Sequence, residues 1–109
     1  MSSSSFAETP APPYYAVIFT SRHTDMDNGY SKMADRMAAL ASQQPGYLGA
    51  ESVRGADGVG ITVSYWKDEE SIRHWRENVE HKVAQESGKR IWYQNYIVRV
   101  SKVERAYGK

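Results

Sequence analysis

Tyr47-Leu48-Gly49-Ala50-Glu51-Ser52-Val53-Arg54-Gly55-Ala56-Asp57-Gly58-Val59-Gly60-Ile61-Thr62-Val63-Ser64-Tyr65-Trp66 is the stretch whose reading decides the fold. Two strand-like runs flank Gly55-Ala56-Asp57-Gly58, and the Asp-Gly pair supplies the positive φ that a tight hairpin requires. Residues 47 to 54 and 59 to 66 are therefore expected to pair antiparallel. In the second run Val59, Ile61, Val63 and Tyr65 line one face, while Gly60, Thr62, Ser64 and Trp66 line the other. Small polar residues beside a Trp suit the wall of a cavity.

Upstream of the hairpin, Pro45-Gly46 stops a helix. Asp25, Asp27 and Asn28 offer its caps, and Tyr30, Met33, Ala34, Met37, Leu40 and Ala41 recur at helical spacing with Lys32, Asp35 and Arg36 outside. The two Met are read as core filling, because an unbranched thioether packs readily against a sheet. Before this helix, Tyr14 to Arg22 is rich in β-branched and aromatic residues and reads as a strand that wants cover on both faces.

Downstream, Asp68 caps a second helix, Glu69 and Glu70 sit at the positive end of its dipole, and Ile72, Trp75, Val79 and Val83 form its apolar stripe. On one unbroken helix His74, Asn78, His81 and Gln85 would lie nearly opposite that stripe, in solvent. A break near Asn78 to Glu80 is expected instead, turning His81, Ala84, Gln85, Gly88 and Trp92 onto a shared inward face. The last strand starts near Trp92 or Tyr93 and ends near Val103, with Tyr96, Val98 and Val100 on one face and Ile97, Arg99, Ser101 and Val103 on the other.

Strand, helix, strand, strand, helix, strand is the βαββαβ order of a ferredoxin-like α+β fold, a four-stranded antiparallel sheet with two helices on one face. Two helices cover one face only, so the apolar residues of the other call for a partner sheet and hence a homodimer. Val17 or its neighbours, Val98 and Val100 are expected to be buried between these elements.

The 109 residues have room for one domain, and a hydrophobic content of 40% is ordinary for a globular chain. Fourteen Lys and Arg against 13 Asp and Glu leave a net charge of +1, too small a field to draw in nucleic acid or an anionic membrane. The absence of Cys removes disulfides, thiolate nucleophiles and Cys-ligated metal sites, and is compatible with the cytoplasm. Residues 1 to 13 lack the basic start and apolar run of a secretory signal, so export is not expected. Their four Ser and three Pro read as a flexible or extended arm ahead of a domain spanning residues 14 to 107.

Chemistry is densest from Tyr65 to Tyr96, which holds all three Trp, two of the three His and three of the eight Tyr. No Gly-rich phosphate loop and no HExxH occurs, so nucleotide binding and zincin chemistry lack support. His74 and His81 share a helical spacing, but no carboxylate or third His matches it, and no metal site is expected. His23 reads as a loop residue.

Gln44-Pro45-Gly46-Tyr47-Leu48-Gly49, Tyr65-Trp66-Lys67-Asp68 with Ile72 and Trp75, and His81-Lys82-Val83-Ala84-Gln85 leading to Trp92-Tyr93 and Tyr96 together resemble the antibiotic biosynthesis monooxygenase family, small ferredoxin-like proteins that form dimeric α/β barrels. The resemblance spans roughly residues 14 to 107. It implies oxygenation of a small aromatic or quinol-type substrate with no cofactor, neither flavin, metal nor haem, the substrate's own ring supplying electrons to dioxygen. On that reading His81 takes a phenolic proton, Arg99 or Gln85 holds a developing oxyanion, and Trp66, Trp75, Trp92, Tyr93 and Tyr96 wall the ring. Some relatives that degrade haem share an Asn on the first strand, a Trp on the second helix and a His ten residues beyond it. Here Trp75 matches the Trp, but Thr20 and Gln85 stand where the Asn and His would be, so that route is not expected.

A dimeric small-molecule binding or sensing module is the competing reading, since pocket aromatics and a single His serve binding and catalysis equally. Haem handling through His81 is a third. A ligand located beside Trp75, Trp92 and His81 would separate them.

Overall fold

The computed structural model describes residues 6–23, 38–85 and 93–109, the side chains at 23, 79–85 and 93–95 excepted. In chain order these residues form β1 (Tyr14–His23), a helical segment at 38–42 (α1), β2 (Tyr47–Arg54), β3 (Val59–Trp66), α2 (Glu69–Gln85) and β4 (Tyr93–Val103). The four strands make one antiparallel sheet in the order β2-β3-β1-β4. With its two helices this is the ferredoxin-like α+β architecture.

The hairpin between β2 and β3 closes as its residues require. Gly58 takes a φ of 90°, Val59 N–H donates to Asp57 Oδ1 at 3.1 Å, and Gly55 N–H donates to the Val59 carbonyl at 2.8 Å. An extra residue at Leu48 shifts the register between Tyr47 and Gly49, so that Tyr47 faces Trp66 and Gly49 faces Tyr65.

Alternation along the strands sorts the sheet into two faces. The inner, helix-facing side carries Tyr47, Trp66 and Tyr15 in one row across β2, β3 and β1. There Trp66, fully buried, gathers Ala41 of α1 and Ile72 of α2, with Tyr15, Val17, Tyr47 and Trp75 packed around them. Lys67 N–H donates to the Gly46 carbonyl at 2.8 Å, tying the turn after α1 to the entry of α2.

Asp68 starts α2, its Oδ1 accepting from Ser71 N–H at 2.8 Å and Ser71 Oγ–H at 2.7 Å. The helix then runs to Gln85 without the break expected at Asn78 to Glu80. Arg76 to Glu80 contains neither Gly nor Pro, the usual causes of a break, and its Arg and Glu residues are good helix formers.

The outer face is partly covered by the chain's own N-terminal arm. Ala7 N–H donates to Glu51 Oε2 at 2.8 Å, and Thr9 Oγ1 donates to the Tyr14 hydroxyl at 2.9 Å. Tyr65 OH donates to the other Glu51 oxygen at 2.8 Å, and its ring meets Tyr14 edge to face at 5.8 Å. Tyr14 and Ala16 are buried as a result, while Val53, Ile61 and Ile97, farther along the same face, remain exposed. Ala16, a neighbour of Val17, meets the burial expectation, but Val98 and Val100 do not: 46% and 50% exposed, they lie on the inner face beyond the core around Trp66, where the described parts of the helices pack.

Candidate functional site

Beyond the Trp66 row, the inner face of β2 and β3 is built from small side chains. Val17, Ser64 and Ala50 form the next row, Phe19, Thr62 and Ser52 the one after, and Ser21, Gly60 and Arg54 the last. Rows of Ala, Ser, Thr and Gly leave a floor with little side-chain volume, whereas β1 presents larger Val17 and Phe19 beside it. Aromatic rings bound this floor at two places.

At one end, Trp66 and Trp75 stack with centroids 6.1 Å apart and planes 24° from parallel, and Tyr47 meets Trp66 edge-on at 5.5 Å. The Trp66 indole N–H donates to Ser64 Oγ at 2.9 Å, which orients the ring and satisfies its buried polar atom. Trp75 is only half-buried, so it offers ring surface that Trp66 holds in place. Along the β1 and β4 side, Phe19 and Tyr96 pair at 5.5 Å, with Tyr96 64% exposed. Tyr96 faces Ser21 across the β1–β4 ladder. A hollow of about 280 Å³ at this end of the sheet is lined mainly by the outer-face residues Thr20, Arg22, Val59 and Ile97, and also touches Ser21 and Tyr96.

The structure brings Trp66 and Trp75 together, and places Tyr96 on the same inner face near the opposite end of the floor. Arg99 stands opposite Ile18 on the outer face, so strand alternation separates it from this group. The backbones of His81 and Gln85 belong to α2 and that of Tyr93 opens β4. Their side chains, and the whole of Trp92, lie outside the described residues. With α2 unbroken, the break that was to turn His81 and Gln85 inward is absent. His74 is exposed. Among the described residues no group of three or more His, Asp or Glu gathers to hold a metal ion, and no helix is long and apolar enough to cross a membrane.

Two inner-face residues escaped the sequence reading: Ser21 and Arg54. A four-residue turn at 55 to 58 would pair Arg54 with Val59 and turn it to the outer face; the observed register pairs Arg54 with Gly60 instead, and that one-residue difference is what brings it to the inner face. Ser21 is 4% exposed, and its hydroxyl is a buried polar atom with no hydrogen-bond partner among the described residues.

Comparison with known proteins adds identity to this geometry. The antibiotic biosynthesis monooxygenase family matches residues 13–87. The uncharacterized protein YqjZ of Bacillus subtilis (strain 168) is 57% identical over 99 residues, covering 91% of this chain and 87% of that one. SnoaB, a cofactor-independent oxygenase from Streptomyces nogalater, superposes with a TM-score of 0.71 at 14% identity, covering 90% of this chain and all of its own. PA3566 from Pseudomonas aeruginosa gives 0.66 at 15% identity, covering 90% and 99%. At such identities the two solved structures speak for the fold. The family match runs from the start of β1 through the end of α2, and the chain belongs to the antibiotic biosynthesis monooxygenase family.

Proposed function

We propose that the protein is a cofactor-independent monooxygenase that oxygenates a small aromatic or quinol-type substrate on the inner face of its sheet, working as a homodimer. The observation that carries this reading is the floor of small residues bounded by the Trp66–Trp75 stack, in a chain of this family. A flat ring placed over Ser64, Thr62 and Ala50 meets π-surface at the Trp75 end, and offset or edge contacts of that kind are worth about 0.5–1.5 kcal/mol beyond area burial.

An electron-rich ring, once deprotonated, supplies the electrons itself. One atom of dioxygen enters a ring carbon and the other leaves as water. The protein's share is to take the phenolic proton, hold the charge that develops on oxygen and exclude bulk water. His81 is the base in this scheme on the family resemblance alone, because neutral imidazole accepts a proton near pH 7; the unbroken α2 gives it no inward turn, so the assignment stands or falls with its substitution. Gln85, one turn later on α2, is the donor to the oxyanion, and Trp75, Trp92, Tyr93 and Tyr96 wall the ring.

The test is dioxygen uptake by the pure protein with a panel of hydroquinones and polycyclic phenols in metal-free, flavin-free buffer. Protein-dependent uptake that falls in Trp75→Ala is the expected result. Saturable binding of panel members with no uptake by any of them would instead assign the protein to small-molecule binding or sensing.

A further inference from the structure

Ser21 is the unexplained residue of the inner face. A buried hydroxyl left without a partner costs about 1–3 kcal/mol, and at 4% exposure solvent does not satisfy it. Across the ladder stands Gly60, and beyond Gly60 stands Arg54. The Arg54 guanidinium folds back over the glycine, so that a Cβ at position 60 would lie 2.7 to 2.9 Å from three of its atoms. Arg54 Nη1 donates to the Gly58 carbonyl at 2.7 Å, which fixes the cation in that position. Glycine at 60 is thus what lets a positive charge lie flat on the sheet beside a buried hydroxyl.

Cβ positions on adjacent antiparallel strands are about 4.5–5.5 Å apart, so Ser21 neighbours the glycine over which the Arg54 guanidinium lies. On the other side of Ser21 the Phe19–Tyr96 pair supplies ring surface.

We propose that Ser21 and Arg54 form an anchoring subsite for an anionic oxygen carried on an aromatic ring, with Ser21 Oγ–H donating to that oxygen, Arg54 supplying the countercharge and the Phe19–Tyr96 pair flanking the ring. This subsite lies at the end of the floor remote from Trp75, so it sets which end of an aromatic ligand points away from the tryptophans. It deepens the reading of the inner face as an aromatic site and rests on it, but it concerns binding and is read by binding alone.

The experiment is calorimetric titration of the full chain with 2-naphthoate and with its uncharged counterpart 2-naphthamide, for the parent protein, Ser21→Ala and Arg54→Gln, with a thermal unfolding curve for each. The parent should bind naphthoate at least about tenfold more tightly than naphthamide, the worth of a charge-assisted hydrogen bond. Ser21→Ala should weaken naphthoate roughly 5- to 20-fold, change naphthamide far less, and leave the unfolding temperature equal or higher, because it removes a polar group that has no partner in the free protein. Arg54→Gln should also weaken naphthoate selectively. Equal naphthoate affinity in the parent and Ser21→Ala would overturn the proposal, as would equal losses for both ligands, or no saturable naphthoate binding by the parent at millimolar concentration. A fall in unfolding temperature in Ser21→Ala would mark the hydroxyl as structural and overturn it as well. Selective, Ser21-dependent naphthoate binding in a protein that consumes no dioxygen would leave this subsite standing and remove the oxygenase reading.

Discussion

The indole of Trp66 serves stability and the candidate site together, since it centres the core and backs Trp75. Trp66→Ala should cost about 3–5 kcal/mol, as large-to-small changes at a filled core position do, and urea unfolding with an unchanged m-value would measure it. Trp75, half-buried, should separate the two roles: Trp75→Ala is expected to lose less stability than Trp66→Ala but to lower affinity for an aromatic ligand. Equal losses of stability would mean that Trp75 is simply core. For the proposed base, His81→Ala should lower kcat by roughly 10² to 10⁴-fold with little change in KM. Parent-like turnover in that variant would remove His81 from the mechanism.

Among the elements, the joint between the Pro45-Gly46 turn and the first turn of α2 is the tightest. Gly46 takes a φ of 87°, and a Cβ there would overlap Ser71, 2.0 Å from its Oγ and 2.6 Å from its Cβ. Gly46→Ala should therefore destabilise by more than about 1 kcal/mol, since both the backbone and the space are incompatible. Asp68, on the same joint, titrates below its ordinary 3.8 because its carboxylate accepts first from the Ser71 hydroxyl and then from the Ser71 backbone N–H. A folded-state value below the unfolded one means that this group stabilises the fold above pH 3.8 and that the contribution disappears as pH falls through the lower folded value. The acid limb of a stability-against-pH curve should accordingly be shallower in Asp68→Asn. At the other extreme, burial, then the Glu51 hydrogen bond, raise Tyr65 to about 12. Its contribution is full below pH 10 and is lost as pH rises toward 12, so phenolate absorbance should reveal a late-titrating group that Tyr65→Phe lacks.

These elements were legible to different degrees. The bounds of β2 and β3 follow from the Asp57-Gly58 turn, and the start of α2 from Asp68, because turns and caps are chemistry that a few adjacent residues settle. The unbroken course of α2 was legible in principle, since Arg76 to Glu80 holds good helix formers and neither Gly nor Pro, whereas the expected break rested only on bringing His81 inward. The arm was hidden for a different reason: Ala7 reaches Glu51 across 44 residues of sequence, and a Ser- and Pro-rich composition carries no sign of such a contact. Ser21 was hidden because its singularity is an unmade hydrogen bond, which only packing reveals.

For the whole molecule, the outer face decides the oligomeric state. The arm covers its Tyr14, Tyr65 and Glu51 end, leaving Val53, Ile61 and Ile97 exposed toward the other. A homodimer through that remaining apolar area should bury on the order of 1,200–2,000 Å² in total, and light scattering at micromolar concentration should return twice the chain mass, falling to one chain in Ile61→Lys. A parent protein that scatters as a single chain would refute the dimer. The central claim concerns the inner face and its chemistry. It is tested most directly by supplying isotopically heavy dioxygen to metal- and flavin-free protein with a polycyclic hydroquinone and weighing the product. The account predicts one heavy oxygen atom per product molecule, with incorporation abolished or greatly reduced in His81→Ala; product oxygen drawn from water, or incorporation unchanged when the protein is omitted, would contradict it.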